Sequence, residues 1–215
     1  MKKTISRLQF TNYQDPNKTM SQQILEFCAG GGDWVQIQTK ATADDHEWTE
    51  IRKSSSLCQQ HGATLIIDNN IHLALKIDAD GVLLNTSTNI AETRKTIGSH
   101  KIIGCIAHTY EDVAKIAAQD ADYIILDPLE GEKTKQTLNP QAYSTILQAC
   151  AKHKLSIPTI AVGHITKEDF PTLFSMGIHG VALSTYLAEQ DNIGKTTLNT
   201  LAEIGKAQSK YFIKR

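Results

Sequence analysis

The chain has 215 residues, is 40% hydrophobic and 21% charged, and carries a formal net charge of −1. That is enough chain for one substantial core. The absence of a basic stripe argues against nucleic acid as the main partner, and no apolar run approaches a membrane span.

The N-terminus, Met1-Lys2-Lys3-Thr4-Ile5-Ser6-Arg7, starts charged but has no apolar stretch long enough for a signal peptide, so a cytoplasmic protein is expected. Short, β-branched runs then recur: Ile5 to Phe10, Trp34 to Ile37, Ala63 to Ile67, Gly81 to Leu84, Lys101 to Cys105, Tyr123 to Leu126, and one run within each of the segments Ile157 to His164 and Gly177 to Thr185. Continuous apolar runs of this length fit strands buried on both faces of a parallel sheet.

Helical patterns lie between the strands. Ser21 to Ala29 places Ile24, Leu25 and Cys28 near helical spacing, and Asp44 to Gln60 is longer and charged early. Thr109, with Asp112 three residues on, reads as an N-cap, and Thr166 with Asp169 repeats that opening. Asn139 to His153 fills the interval between the sixth and seventh strands. Alternation eight times over favours a single (β/α)8 barrel covering residues 1–215. The alternative is an open doubly wound sheet, for which the first strand offers no GxGxxG. Cys28, Cys58, Cys105 and Cys150 form no CxxC pair and read as reduced thiols of the core or of helix faces. The eight histidines lack metal-ligand spacing such as HExxH.

The last two strands stop at small residues, Gly163 and Ser184-Thr185. In a (β/α)8 barrel the loops there hold a phosphate with backbone N–H groups, which requires Gly or Ser where the backbone meets the ligand.

Several segments together carry a resemblance: Trp34 to Lys40, Leu65 to Asn70, Ala79 to Leu84, Ile103 to His108, Ala121 through Lys135, and the two closing strands. In this order and spacing the chain resembles the thiamine phosphate synthase family. The resemblance implies a (β/α)8 barrel that joins a pyrimidine methyl diphosphate to a thiazole phosphate and releases pyrophosphate, with Mg²⁺ as the usual metal. The diphosphate leaves, a pyrimidine-stabilised cation forms and the thiazole nitrogen attacks, so the protein must neutralise the leaving group and hold the acceptor in line. A related thiazole tautomerase shares the fold and needs no diphosphate site.

Residue by residue, Gln36 and Lys40 match the family's pattern after the second strand, but Gln38 stands where an arginine is usual. Asp68-Asn69 stands where the family has Asn-Asp, the Asp being a metal ligand; Thr88 and Ile106 replace a further Asp ligand and a serine. Thr134, Lys135, Gly163 and Ser184 match, while His164 replaces a second glycine. The resemblance thus implies a substrate site of Gln36, Gln38, Lys40, Asn69, Thr134, Lys135, Gly163, Ser184 and Thr185, with His108 and Lys135 as catalytic groups and Asp68 as the metal ligand. The retained positions mainly grip a monophosphate and the lost ones mainly bind metal and diphosphate. Each lost charge-assisted contact costs roughly 1.5–3 kcal/mol, so an impaired synthase is one expectation.

Each residue also has a plainer reading. Lys40, Lys135, Glu130 and Glu132 can be solvated charges, Gly163 a strand-end turn, Ser184 an ordinary helix cap, and His108 a histidine packed at a helix start. Asp127 offers a replacement carboxylate, and His164 is awkward if its position needs positive φ. Three functions follow: a synthase, a tautomerase in which His108 shuttles the proton, or a non-catalytic binder of a phosphorylated thiamine precursor. All take small phosphorylated thiazole or pyrimidine ligands and none takes nucleic acid or membrane; a homodimer is left open.

Overall fold

The computed structural model describes residues 4–39, 44–127 and 139–212. Among the described residues eight strands alternate with helices: β1 (Leu8–Thr11), β2 (Trp34–Ile37), β3 (Thr64–Asp68), β4 (Gly81–Leu84), β5 (Ile102–Ala107), β6 (Tyr123–Leu126), β7 (Thr159–Ala161) and β8 (Gly180–Leu183). The helices are α1 (Met20–Ala29), α2 (Asp45–His61), α3 (Ile71–Lys76), α4 (Ile90–Ile97), α5 (Tyr110–Ala117), α6 (Pro140–Lys152), α7 (Phe170–Ser175), α8 (Thr185–Ala188) and α9 (Ile193–Phe212). Every strand pairs in parallel with its sequence neighbours and β1 closes on β8, so the sheet is a closed barrel, not an open wound sheet.

Side chains alternate across the barrel wall, as period-2 geometry requires. Leu8, Phe10, Val35, Ile37, Leu65 and Ile67 belong to the cluster shared with the surrounding helices. Trp34, Ile66, Leu83, Tyr123, Ile125 and Ile160 form a separate cluster, which fills the barrel. Trp34 and Tyr123 meet edge to face with ring centroids 5.5 Å apart. A Cβ on Gly104 would lie 2.2 Å from the Tyr123 ring, so only glycine there admits that tyrosine. The barrel is packed below its mouth, not hollow.

The helix ends follow the expected chemistry. Thr109 and Asp112 form a capping box at α5, and Asn139 caps α6 with Pro140 in the first turn. The four cysteines are free and buried. Burial pushes the Cys58 and Cys105 thiols up to about 12, so they stay protonated at neutral pH. Three boundaries differ from the sequence reading. The first strand begins at Leu8, and Ile5 instead joins the interior cluster that Trp34 and Ile102 share. Pro158 lacks an N–H, and β7 starts only after it. Helix α7 starts at Phe170, after a turn in which the Thr166 amide donates to Asp169 Oδ2 at 2.8 Å. Among the described residues no helix is long and apolar enough to cross a membrane.

Candidate active site

At the carboxyl ends of the strands a cleft of about 740 Å³ opens. Its floor is apolar: Leu83, Ile106, Ile125, Val162 and Ala182. Its polar wall comes from Thr11, Gln36, Gln38, Asp68 and Asp127 on one run of strands and from Gly163, Ser184 and Thr185 on another. Asp68 ends β3 and Gly163 follows β7, four strands away in a ring of eight, so the two stand across the mouth from one another.

Asp68 is the strand-end carboxylate of this cleft, which Asp127 and Glu189 also line. It pairs in register with Leu83, and both line the cleft. Burial pushes its pKa above the usual carboxylate value; hydrogen bonds from the Gln38 and Gln36 side chains offset this only in part. Gln36 is 2% exposed, and its Oε1 has no partner among the described residues. Gln38 is clasped from β1: its amide donates to Asn12 Oδ1 at 2.7 Å, and Asn12 Nδ2 donates to the Gln38 carbonyl at 3.3 Å. Asn69 leaves the strand at φ 47, with its amide donating to the Leu83 carbonyl at 2.7 Å, and is not among the cleft-lining residues.

On the far side, Gly163 has φ 127 and an added Cβ would meet nothing within 4 Å. Its backbone conformation, not crowding, calls for glycine. Helix α6 fixes this turn from below: the Tyr143 hydroxyl sits 2.9 Å from the Leu126 carbonyl and 2.6 Å from the Val162 carbonyl, and accepts the Val162 amide at 3.2 Å. One phenol thereby joins the ends of β6 and β7. His164 lines the cleft and is not among the positive-φ residues, so its place demands no glycine. Ser184 occupies the N-cap position of α8 but its side chain makes no capping hydrogen bond; it lines the cleft instead.

His108 is placed differently. Its Nδ1 lies 2.7 Å from the Asp127 carbonyl oxygen, which can only accept, so Nδ1 carries the proton. The ring is not among the cleft-lining residues. Lys40, Thr134 and Lys135, like Glu130 and Glu132, lie outside the described residues.

Sequence reasoning missed Thr11 and Tyr186, which also line the cleft. It also missed a second cavity of about 770 Å³, formed by the loop after β1 and the start of α2, which meets the cleft at Gln38 and Ser184. Single polar residues at a strand end carry no periodic signal; adjacency to Ser184-Thr185 was the available hint for Tyr186. Among the described residues no group of three or more His, Cys, Asp or Glu side chains gathers to hold a metal ion.

A closed parallel barrel with a polar cleft at the carboxyl ends of its strands defines a (β/α)8-barrel enzyme. A family model described as thiamine monophosphate synthase matches residues 8–187. The thiamine-phosphate synthase of Flavobacterium psychrophilum is 36% identical over 188 residues, covering 84% of this chain and 91% of that protein. That of Bacteroides thetaiotaomicron is 32% identical over 195 residues, covering 88% and 93%. The solved thiamine phosphate pyrophosphorylase of Pyrococcus furiosus shares the fold with a TM-score of 0.77 at 22% identity, covering 94% of this chain and 96% of that one. The chain belongs to the thiamine monophosphate synthase family, a family of transferases of thiamine biosynthesis.

Proposed function

We propose that this protein is a cytoplasmic thiamine phosphate synthase that joins hydroxymethylpyrimidine diphosphate to thiazole phosphate and releases pyrophosphate. The observation that carries the reading is the two-sided cleft: Gly163 stands across an apolar floor from Asp68, with Ser184 and Thr185 at the end of the strand beside Gly163 and Gln36 and Gln38 at the end of the strand beside Asp68. Two substrates that must react head to head need such a layout.

In this reading the thiazole monophosphate takes the Gly163 and Ser184-Thr185 side, where backbone amides reach an anion without a side chain in the way. The pyrimidine end lies toward Gln36 and Gln38, whose amides both donate and accept. The carbon–oxygen bond to the diphosphate breaks with its electron pair leaving on pyrophosphate, and the thiazole nitrogen forms the new bond. The apolar floor excludes water from the cation between those steps. Lys40, Thr134 and Lys135 are proposed as anion-binding groups for the phosphorylated substrates, Lys135 as the catalytic cation.

A Mg²⁺ ion fits this donor set only as a partner of the diphosphate. The described residues offer Asp68, with Asp127 in the same cleft, and Mg²⁺ is commonly held by one or two carboxylates plus phosphate oxygens and water. Asp68 would hold it, and it would supply charge neutralisation to the leaving group. His108 is not itself among the cleft-lining residues, and its Nδ1 proton is held by the carbonyl of Asp127, which gives no support to a proton shuttle on the thiazole.

The test is direct: purified protein, both substrates and Mg²⁺, with pyrophosphate and thiamine phosphate quantified. Stoichiometric appearance of both is expected. Absence of both at high protein concentration overturns the reading.

A further inference from the structure

Resting on the reaction proposed above, we propose that Lys18 is a positioning residue: it holds α8, and so Ser184 and Thr185, in place for the thiazole monophosphate. Lys18 closes the loop that follows β1. Its Nζ lies 3.0 Å from Glu26 Oε2, 3.3 Å from the Gln190 carbonyl and 3.1 Å from the Asp191 carbonyl. An ammonium has three hydrogens, and all three are used. The same Glu26 oxygen accepts the Ile193 amide at 3.0 Å. One ion pair therefore holds both the carbonyls that follow α8 and the amide that opens α9.

The pinned element cannot hold itself. Helix α8 runs only Thr185–Ala188, and a helix this short is not stable alone. Ser184 makes no side-chain cap to stiffen its start. Its carboxyl end meets the positive charge of Lys18, which also matches the helix dipole. The ion pair is partly shielded, with side-chain exposures of 20% for Lys18 and 34% for Glu26. Glu189 and Gln190, in the pinned turn, share the cleft with Ser184, while Lys18 itself lines the second cavity. Releasing the strut shifts the phosphate side of the cleft and leaves the β2–β3 side alone.

Lys18→Met keeps the stem and removes the ammonium. The expected result is an affinity for thiazole phosphate, read by calorimetry, weaker by on the order of tenfold, with its KM raised to match and with kcat and the pyrimidine diphosphate KM within about twofold of wild type. Lys18→Arg should restore part of the loss. A lower Tm with unchanged thiazole phosphate affinity, or an equal rise in both KM values, overturns the proposal. If Lys18→Met does not fold, Glu26→Gln gives the same split at smaller size, and its absence there is equally fatal. Because calorimetry needs no turnover, a wild-type protein that binds thiazole phosphate yet releases no pyrophosphate defeats the proposed reaction while this test still decides the role of Lys18.

Discussion

The two ends of the barrel differ in how the residues flanking their strands are tied, although Trp34 Nε1 and the Tyr123 hydroxyl, at the amino ends of β2 and β6, are also buried without partners among the described residues. At the amino ends, the residues just before β2, β4, β6 and β8 are Asp33, Asp80, Asp122 and His179, and each side chain ties its strand to a neighbour. Ser6 Oγ donates to Asp33 Oδ1 at 2.6 Å, and the Leu65 and Ile103 amides donate to Asp80 and Asp122, each at 2.8 Å. His179 Nε2 donates to the Ile5 carbonyl at 2.8 Å. At the carboxyl ends, Asp68 is pushed toward its neutral form by burial, Ser184 caps nothing, Gln36 Oε1 has no partner among the described residues, and Gly163 takes a φ that side chains avoid. Satisfied groups stabilise a fold; groups left short of partners are available to a ligand.

The largest expected effect tests the base. Arg94 Nη2 donates to Asp122 Oδ2 at 2.7 Å, and its guanidinium also reaches the carbonyls of Gly98, Lys101 and Asp120. Arg94→Met removes that cation from a partly buried carboxylate and should cost about 3 kcal/mol in urea unfolding, with kcat unchanged. A large loss of kcat in the folded variant would break the contrast between the two ends.

The mouth should respond in the reverse sense. Asp68→Asn should lower the rate by about two decades, roughly 2.7 kcal/mol of barrier, without lowering Tm at neutral pH. The sign follows from the raised pKa. The folded state holds the proton more tightly than the unfolded chain, so ionising Asp68 costs stability, a cost absent at low pH and complete above the folded pKa. Asparagine removes that cost. A drop in Tm at pH 7 would show that Asp68 is a structural carboxylate like those at the base.

The base and walls of the barrel were legible from sequence, because strands buried on both faces leave continuous β-branched runs and the ring closes only when eight of them alternate with helices. Misreadings fell where one signal has two causes. Ile5 is as apolar as a strand residue but belongs to the interior cluster, and Thr166 has a cap's spacing from Asp169 while the helix waits for Phe170. At the mouth, Gly163 and Ser184, both of which line the cleft, were legible as strand-end small residues. Which of Asp68 and Asn69 faces the cleft was not, since it depends on the one-residue question of where β3 ends. Lys18 gave no signal at all: its partners lie at residues 26, 190 and 191, and a strut across that distance has no local pattern.

A carboxylate at the mouth can still be structural, and Glu50 shows how to tell. It is buried on α2, beside the second cavity. Burial alone would raise its pKa, but hydrogen bonds from the Ser21 amide and hydroxyl, Lys53 and Thr19 outweigh it and hold the carboxyl at about 2 against an ordinary 4.5. The sign is opposite to that of Asp68: the stabilisation is full above the ordinary value and is lost as pH falls through about 2. Glu50→Gln should therefore cost about 2 kcal/mol at pH 7 once solvent screening is discounted from the full shift, with the gap to wild type closing in acid. A gap that stays constant down to the acid limit would assign the effect to packing instead of charge.

The smallest effect gives the cleanest comparison, because the molecule contains its own control. Gly163 and Gly177 both have positive φ, 127 and 95, and an added Cβ meets nothing within 4 Å at either. Gly163 follows β7 at the mouth; Gly177 precedes β8 at the base. Alanine at either position should incur only backbone strain, about 1 kcal/mol, read as equal losses in thermal unfolding. The functional cost should differ. Gly163→Ala places a methyl group where the monophosphate is proposed to meet bare amides, and should raise the thiazole phosphate KM severalfold while leaving that of the pyrimidine diphosphate alone. Gly177→Ala should change neither. Equal strain with unequal binding would isolate what the mouth does from what the fold requires; equal binding in both variants would mean that no phosphate approaches Gly163.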